Sequence, residues 1–175
     1  MDELTKLAIK YGTDKWGKHH YTPVYNEMFI DNREEVEKVL EIGVGEGASL
    51  RMWRDYFPNA MIYGAEIDES RIIEEDRIKV LKCDQGKNAD LVSVLVETGQ
   101  DLDVIIDDGS HDHMTQGFTC LMIMKRLLGN PTYVIEDVAD KETVLDMIED
   151  FYDVEVVECG KRYDDRLIIV RHKDE

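Results

Sequence analysis

From residue 38 onward the chain alternates between short apolar runs and stretches of helical periodicity. Lys38–Ile42, Met61–Glu66, Ile78–Cys83, Leu102–Asp107 and Thr132–Glu136 read as strands buried on both faces. Helical spacing of apolar residues marks Ser49–Phe57, Glu69–Glu75, Asn88–Glu97, Asp112–Leu128 and Lys141–Tyr152 between and after them. Strands alternating with helices predict a parallel sheet covered on both sides. The end departs from this rule. "VEVVE" (154–158) and "RLIIVR" (166–171) are joined by "CGKRYDD", which is too short for a crossover helix, so these two strands must be antiparallel. The expected sheet therefore has seven strands, mostly parallel, with a closing hairpin. Ahead of it, Leu4, Leu7, Ala8 and Tyr11 share one helical face, and Gly12 is placed to end that helix. That apolar face can pack on its own domain or on a second copy in a homo-oligomer. Thr22-Pro23 reads as N-cap and first residue of a second helix reaching about Ile30. "GTDKWGKHHY" between them is polar, aromatic and without period, which predicts a functional loop.

The length of 175 residues suits one domain, 1–175, with 1–36 as a helical cap and 37–175 as the core. With 43% hydrophobic and 34% charged residues the chain is globular rather than disordered. The net charge of −18 repels phosphate backbones and anionic membranes, so nucleic-acid and membrane partners are excluded. No apolar run approaches the roughly 20 residues that span a membrane, and "MDELTKLAIK" is not a secretion leader; the expected location is cytoplasmic. Cys83, Cys120 and Cys159 are odd in number and far apart, which fits reduced, buried thiols and neither a disulfide framework nor a thiolate zinc site.

"VLEIGVGEGASL" (39–50) joins the first strand to the first long helix. Gly43, Gly45 and Gly47 allow a sharp turn and a close backbone approach to a ligand, with helix N–H groups aimed at it. Glu66 ends the second strand about 20 residues on, where an acceptor for ribose hydroxyls belongs. Counting Ala48, the loop also scans as G-x-G-x-x-A, which keeps a nicotinamide-dependent oxidoreductase as an alternative. Glu41 and Glu46 oppose it, because carboxylates suit a cationic ligand better than a pyrophosphate. S-adenosylmethionine carries a sulfonium and an ammonium and no phosphate. A cofactor-binding module without catalysis is the second alternative.

"DVIIDDGSHDH" (103–113) ends a buried run in carboxylates and imidazoles. Asp-Gly turns are common, and Ser110 or Asp112 is placed to cap the next helix. In open α/β sheets, however, the ligand crevice lies at the carboxyl ends of the strands. Asp107 and Asp108 close one strand while Glu136 and Asp137 close its neighbour, so four carboxylates converge there. Hard oxygen donors without thiolates suit magnesium or a similar divalent ion. His111 follows Asp108 by three positions, close enough to share a substrate hydroxyl with it and to act as a base near neutral pH. The stripe Phe118, Leu121, Met122, Met124 and Leu128 reads as core packing.

"LEIGVGEGASL", "GAEID", "KCDQ", "IIDDGSHDH" and "VIEDV", in this order, resemble the class I S-adenosylmethionine-dependent methyltransferases. With "YGTDKWGKHHYTPVY" they resemble more specifically the metal-dependent macrocin- and mycinamicin-type sugar O-methyltransferases, from about Tyr11 to Val170. The resemblance implies a three-layer Rossmann-like fold and methyl transfer to a hydroxyl of a sugar-containing small molecule or glycan. It implies that Glu41, Gly43 and Gly45 hold the methionine part, that Glu66 binds the ribose diol, and that Asp84 faces the adenine, with Asp107 on the same cofactor side. It implies metal ligation by Asp108 and Asp137, with Glu136 beside them, and catalysis by His111 with Asp108. Asp14, Lys15, Trp16, His20 and Tyr21 match the loop motif and become candidates for cofactor or substrate contacts. One departure stands out: where the family has an acid after the second tyrosine of "HYTPxY", this chain has Asn26, with Glu27 next. Weaker ion binding follows from that change.

Overall fold

The computed structural model describes residues 1–173. Two helices, α1 (Glu3–Tyr11) and α2 (Thr22–Phe29), precede the sheet. Then come β1 (Lys38–Ile42), α3 (Ala48–Tyr56), β2 (Met61–Glu66), β3 (Glu74–Glu75), β4 (Ile78–Lys82), α4 (Asn88–Thr98), β5 (Val104–Asp107), α5 (His113–Met124), β6 (Thr132–Ile135) and α6 (Lys141–Ile148), with β7 (Tyr152–Glu158) and β8 (Arg166–His172) last. The strand order is β3-β4-β2-β1-β5-β6-β8-β7. β4, β2, β1, β5 and β6 are parallel, while β8 runs antiparallel to both β6 and β7. β1 pairs with β2 on one side and β5 on the other, which makes their carboxyl ends the topological switch point where such sheets bind ligands.

Each central strand feeds two cores, one per face, by its two-residue alternation. Val39, Val104, Ile106, Val134, Leu167 and Ile169 pack with Trp53, Tyr25 and Phe57 on the α1–α3 side. Leu40, Ile105, Tyr133, Ile135, Ile168 and Val170 pack with Val94, Cys120 and Ile148 on the other. No helix among the described residues is long and apolar enough to cross a membrane. The apolar face of α1 packs on this chain's own α3, with Leu4 and Ala8 fully buried.

All seven expected strands are present, and the two-residue β3 is an eighth that pairs antiparallel with β4. It replaces the helix expected over Glu69–Glu75. The Asp68 carboxylate accepts from Ser70 N and Oγ, holding 69–71 to one 3-10 turn. Arg77 at φ +54 then turns the chain back as a hairpin, and Arg51 grips Glu75. Three smaller differences concern helix ends. Thr22 is already the first residue of α2, because its hydroxyl is engaged with that of Thr5 at 2.7 Å. Tyr152 belongs to β7 rather than to the preceding helix. α5 stops at Met124, which leaves Leu128 64% exposed while Phe118, Leu121 and Met122 pack at the core's edge.

Asp55 on α3 ties down the C-terminal end of α1. It accepts from Lys10 Nζ at 2.8 Å, from the Tyr11 hydroxyl and from Arg54 Nε at 3.2 Å. Burial raises its pKa, but these donors outweigh burial and lower it to about 2. A carboxylate lowered in the folded state contributes stability above its unfolded pKa and loses it as pH falls through the folded one. Asp55→Asn is therefore expected to cost about 1–2 kcal/mol at pH 7. Urea titrations should show that gap narrowing from about pH 4 downward; a gap that is constant with pH excludes the ionic contribution.

Candidate active site

The loop after β1 turns through three glycines with positive φ: Gly43 at +84°, Gly45 at +52° and Gly47 at +77°. At Gly43 the reason is contact as well as conformation. A Cβ there would stand 2.2 Å from the carbonyl oxygen of Asp108, so the glycine loop and the "DDGSH" turn touch backbone to backbone. Glu66 braces the loop from β2: one carboxylate oxygen accepts from Val44 N at 3.0 Å and the other from Asp68 N at 2.9 Å. A cavity of about 740 Å³ opens over these strand ends. Gly43, Gly45, Glu66 and Asp84 line it as the sequence suggests, together with Asp14, Glu46, Asp108, Gln85, Thr13, Thr115 and Arg71. Five carboxylates against one guanidinium give it a negatively charged lining, which favours a cationic ligand over an anionic one. Glu41, Gly47 and Asp107, expected on the cofactor side, do not line it.

Where these three point follows from strand alternation. Glu41 shares the Val39 face and is fully buried, accepting from the Ser49 hydroxyl at 2.7 Å. Gly47 caps α3 and lies beneath Ile73 and Arg51. Asp107 points into the opposite core, where it accepts from Gln85 Nε2 at 3.0 Å and the Tyr133 hydroxyl at 2.9 Å, and burial pushes its pKa up to about 6. Gln85 went unread in the sequence although it sits inside "CDQ". Its amide links Asp107 to Ser110 N, at 2.6 Å, while its side chain also lines the cavity.

At the rim, Asp108, His111 and Asp137 bring one ligand-type atom each within 4.8 Å of one another. His111 Nε2 lies 3.7 Å from Asp137 Oδ2, and its ring is half exposed. Asp112 is the N-cap of α5, accepting from Thr115 N at 2.9 Å, which fixes the turn that carries His111. Asp137 follows β6 at φ +53, a left-handed conformation that aspartate tolerates better than most side chains. Glu136, its neighbour, is not one of the three; it is buried and shares the Lys15 ammonium with Asp108. Neither residue in question at the α2 departure reaches it: Asn26 Oδ1 accepts from Tyr56 at 3.3 Å, and Glu27 is exposed.

The loop before α2 turns inward. Lys15 is 1% exposed, and its ammonium meets Asp108 Oδ2 at 2.8 Å, Glu136 Oε2 at 2.6 Å and Glu41 Oε1 at 3.1 Å. Burial alone would favour loss of its proton, but the three carboxylates reverse that and hold its pKa well above an ordinary lysine's. One positive charge serves three acids, so burial still raises Glu136 and Glu41 above their usual range, against the opposing pull of Lys15. Tyr25 completes the cluster by donating to Glu136 Oε1 at 2.6 Å. Tyr21 is also fully buried and donates to Asp137 Oδ1 at 2.6 Å. Asp14 alone among the expected loop contacts lines the cavity. Trp16 is half-buried at the edge of the core, and His20 is exposed, its ring edge-on to Trp16 at 5.1 Å. The inward histidine is His19, which sequence reasoning missed. Its Nδ1 lies 2.7 Å from Asp165 Oδ1 and its ring stacks on Tyr21 at 4.9 Å. An extended segment alternates, so an inward Tyr21 ahead of the helix was the available signal that residue 19, not 20, is inside.

No family model matches the chain. It is 38% identical, over 77% of its length, to the 8-demethyl-8-alpha-L-rhamnosyl tetracenomycin-C 2'-O-methyltransferase of Streptomyces olivaceus. It is 39% identical, over the same share, to the demethylmacrocin O-methyltransferase of Streptomyces fradiae. The matches cover 37% and 36% of those proteins, so the chain spans little more than a third of the length of the curated relatives it matches. Among solved structures, the MycE methyltransferase from the mycinamycin pathway, in complex with Mg, SAH and mycinamycin VI, superposes with a TM-score of 0.81 at 29% identity. That superposition takes in 97% of this chain and 54% of the other. In sequence the chain is similar to O-methyltransferases that act on rhamnosyl tetracenomycin-C and demethylmacrocin, and in fold to the MycE methyltransferase.

Proposed function

We propose that this chain transfers the methyl group of S-adenosylmethionine to a hydroxyl of a sugar-containing small molecule or glycan, assisted by a divalent ion. The observation that carries the reading is the placement of Asp108, His111 and Asp137 at the rim of an acidic cavity that the glycine loop and Glu66 line. The donor set fits a hard cation: the carboxylates of Asp108 and Asp137, with no thiolate, beside the His111 imidazole. Bound S-adenosylmethionine supplies an electrophilic methyl on sulfonium, and a bound magnesium-like ion supplies Lewis acidity to the acceptor oxygen. Glu66 accepts the ribose hydroxyls through lone pairs left free by its two backbone donors, and Asp84 faces the adenine side. Asp108 and Asp137 hold the ion, and His111 takes the proton from the acceptor hydroxyl. Residues 1–36 act as a cap over the cofactor core, and the free thiols Cys83, Cys120 and Cys159 suit a reducing cytoplasm.

Calorimetric titration tests the cofactor. S-adenosylmethionine and S-adenosylhomocysteine should bind and NAD should not; the reverse result makes the protein a nicotinamide enzyme. Glu66→Ala should weaken S-adenosylmethionine by about 1.5–3 kcal/mol per charge-assisted bond lost. Unchanged affinity would reduce Glu66 to a brace for the loop. Methyl transfer to mycinamicin VI or a rhamnosylated aromatic acceptor, abolished by chelation, tests the reaction; binding without any transfer to sugar hydroxyls leaves a silent module.

A further inference from the structure

We propose that Tyr21 is a positioning residue for the candidate ion site, acting through Asp137; the inference rests on the reading of Asp137 as an ion ligand. The Tyr21 hydroxyl donates to Asp137 Oδ1 at 2.6 Å and occupies that oxygen. Oδ2 is then the oxygen left facing His111, at 3.7 Å. Asp137 has a backbone at φ +53, so its carboxylate is aimed from a sparsely populated conformation that its surroundings must hold. Tyr21 is itself immobilised: it is fully buried, His19 stacks on its ring, and the Asp164 carbonyl lies 3.3 Å from its hydroxyl. His19 is anchored in turn by Asp165 on the β7–β8 loop, its Nδ1 standing 3.6 Å from Asp137 Oδ1.

Lys15 does for Asp108 what Tyr21 does for Asp137. Each takes one oxygen of a rim carboxylate, and both come from the loop between α1 and α2. The loop expected to contact cofactor or acceptor thus serves, at these two residues, as a template that orients the two acids. Partners that orient ligands in this way commonly set metal affinity by 10–100-fold.

The test is titration with manganese, followed by the electron paramagnetic resonance of the free ion. Tyr21→Phe keeps the ring and the stack and removes only the hydroxyl. Its manganese dissociation constant should rise about 10–100-fold, while S-adenosylhomocysteine affinity stays near that of the wild type. In an Asp137→Asn background, where residual affinity comes from Asp108, adding Tyr21→Phe should cause no further loss. Manganese affinity equal to wild type in Tyr21→Phe, alongside a clear loss in Asp137→Asn, overturns the role of Tyr21 and leaves the ion site standing. A further loss in the double variant equal to that in Tyr21→Phe alone also overturns it, since the tyrosine then acts without Asp137. Wild-type protein that binds no manganese overturns both the ion site and the inference.

Discussion

His111→Ala is expected to lower methyl transfer about 10²–10⁴-fold, the usual worth of a positioned general base, with cofactor affinity unchanged. The separation follows from placement. His111 lies on the turn before α5, half exposed, and is not among the residues lining the cavity, whereas its Nε2 faces Asp137 across the rim. The imidazole is close enough to Asp108 and Asp137 to be an ion ligand itself. The base reading therefore makes a second demand: manganese affinity must survive the substitution. Single-turnover rates with mycinamicin VI, measured beside calorimetry with S-adenosylhomocysteine, decide the first point. Normal turnover, or lost cofactor binding, removes His111 from the role of base. Manganese binding lost together with the rate makes it a ligand instead.

Lys15→Met is expected to cost about 3–5 kcal/mol of stability at neutral pH, the range seen when one partner of a buried ion pair is removed. Methionine fills nearly the same space, so packing alone predicts a small effect. The loss comes from Glu41, Glu136 and Asp108, which keep their burial and lose their common cation. Burial already raises Glu41 and Glu136 in the presence of Lys15. Groups with a folded pKa above the unfolded value take up protons first in the folded state, so stability rises as pH falls through the folded pKa. The deficit of the variant should therefore shrink between pH 8 and pH 5, read from urea midpoints of both proteins. A deficit below about 1 kcal/mol at pH 7 would mean that the three acids hold protons of their own and that Lys15 is not their counter-charge.

The parallel strands were legible because strands covered on both faces are rich in apolar residues, as β5 and β6 are throughout their buried lengths, and because helical stretches alternate with them. The glycine loop and the acids at the strand ends were legible because their spacing matches a crevice. Spacing alone did not say which member of each acidic pair enters that crevice; only the resemblance singled out Asp108 and Asp137. Asp107 and Asp108 are adjacent, and alternation sends one into the α5-side core and the other to the rim. Glu136 and Asp137 divide likewise between Lys15 and His111. Type and spacing send all four acids to the strand ends; the alternation within the sheet divides them between core and rim. The burial of Lys15 was hidden for a different reason. The residue stood as a candidate cofactor or substrate contact, and its burial depends on carboxylates 26, 93 and 121 residues away. Glu69–Glu75 reads as a short helical piece between strands, while the turn chemistry of Asp68 and Arg77 overrides that reading.

The pairing of His19 with Asp165 joins residues 146 positions apart. During synthesis the loop from residue 12 to 21 is made well before its anchor, which follows it by the whole length of the intervening sheet. The parallel strands β1, β2, β4, β5 and β6 can assemble first, because none of them needs β7 or β8 as a neighbour to reach the others. The rim cannot be completed until β8 docks on β6 and carries Asp164 and Asp165 to Tyr21 and His19. Contacts of such long range are slow to form. Maturation of the site should accordingly lag behind maturation of the sheet, and the loop at 12–21 should gain protection from hydrogen exchange after the parallel strands do.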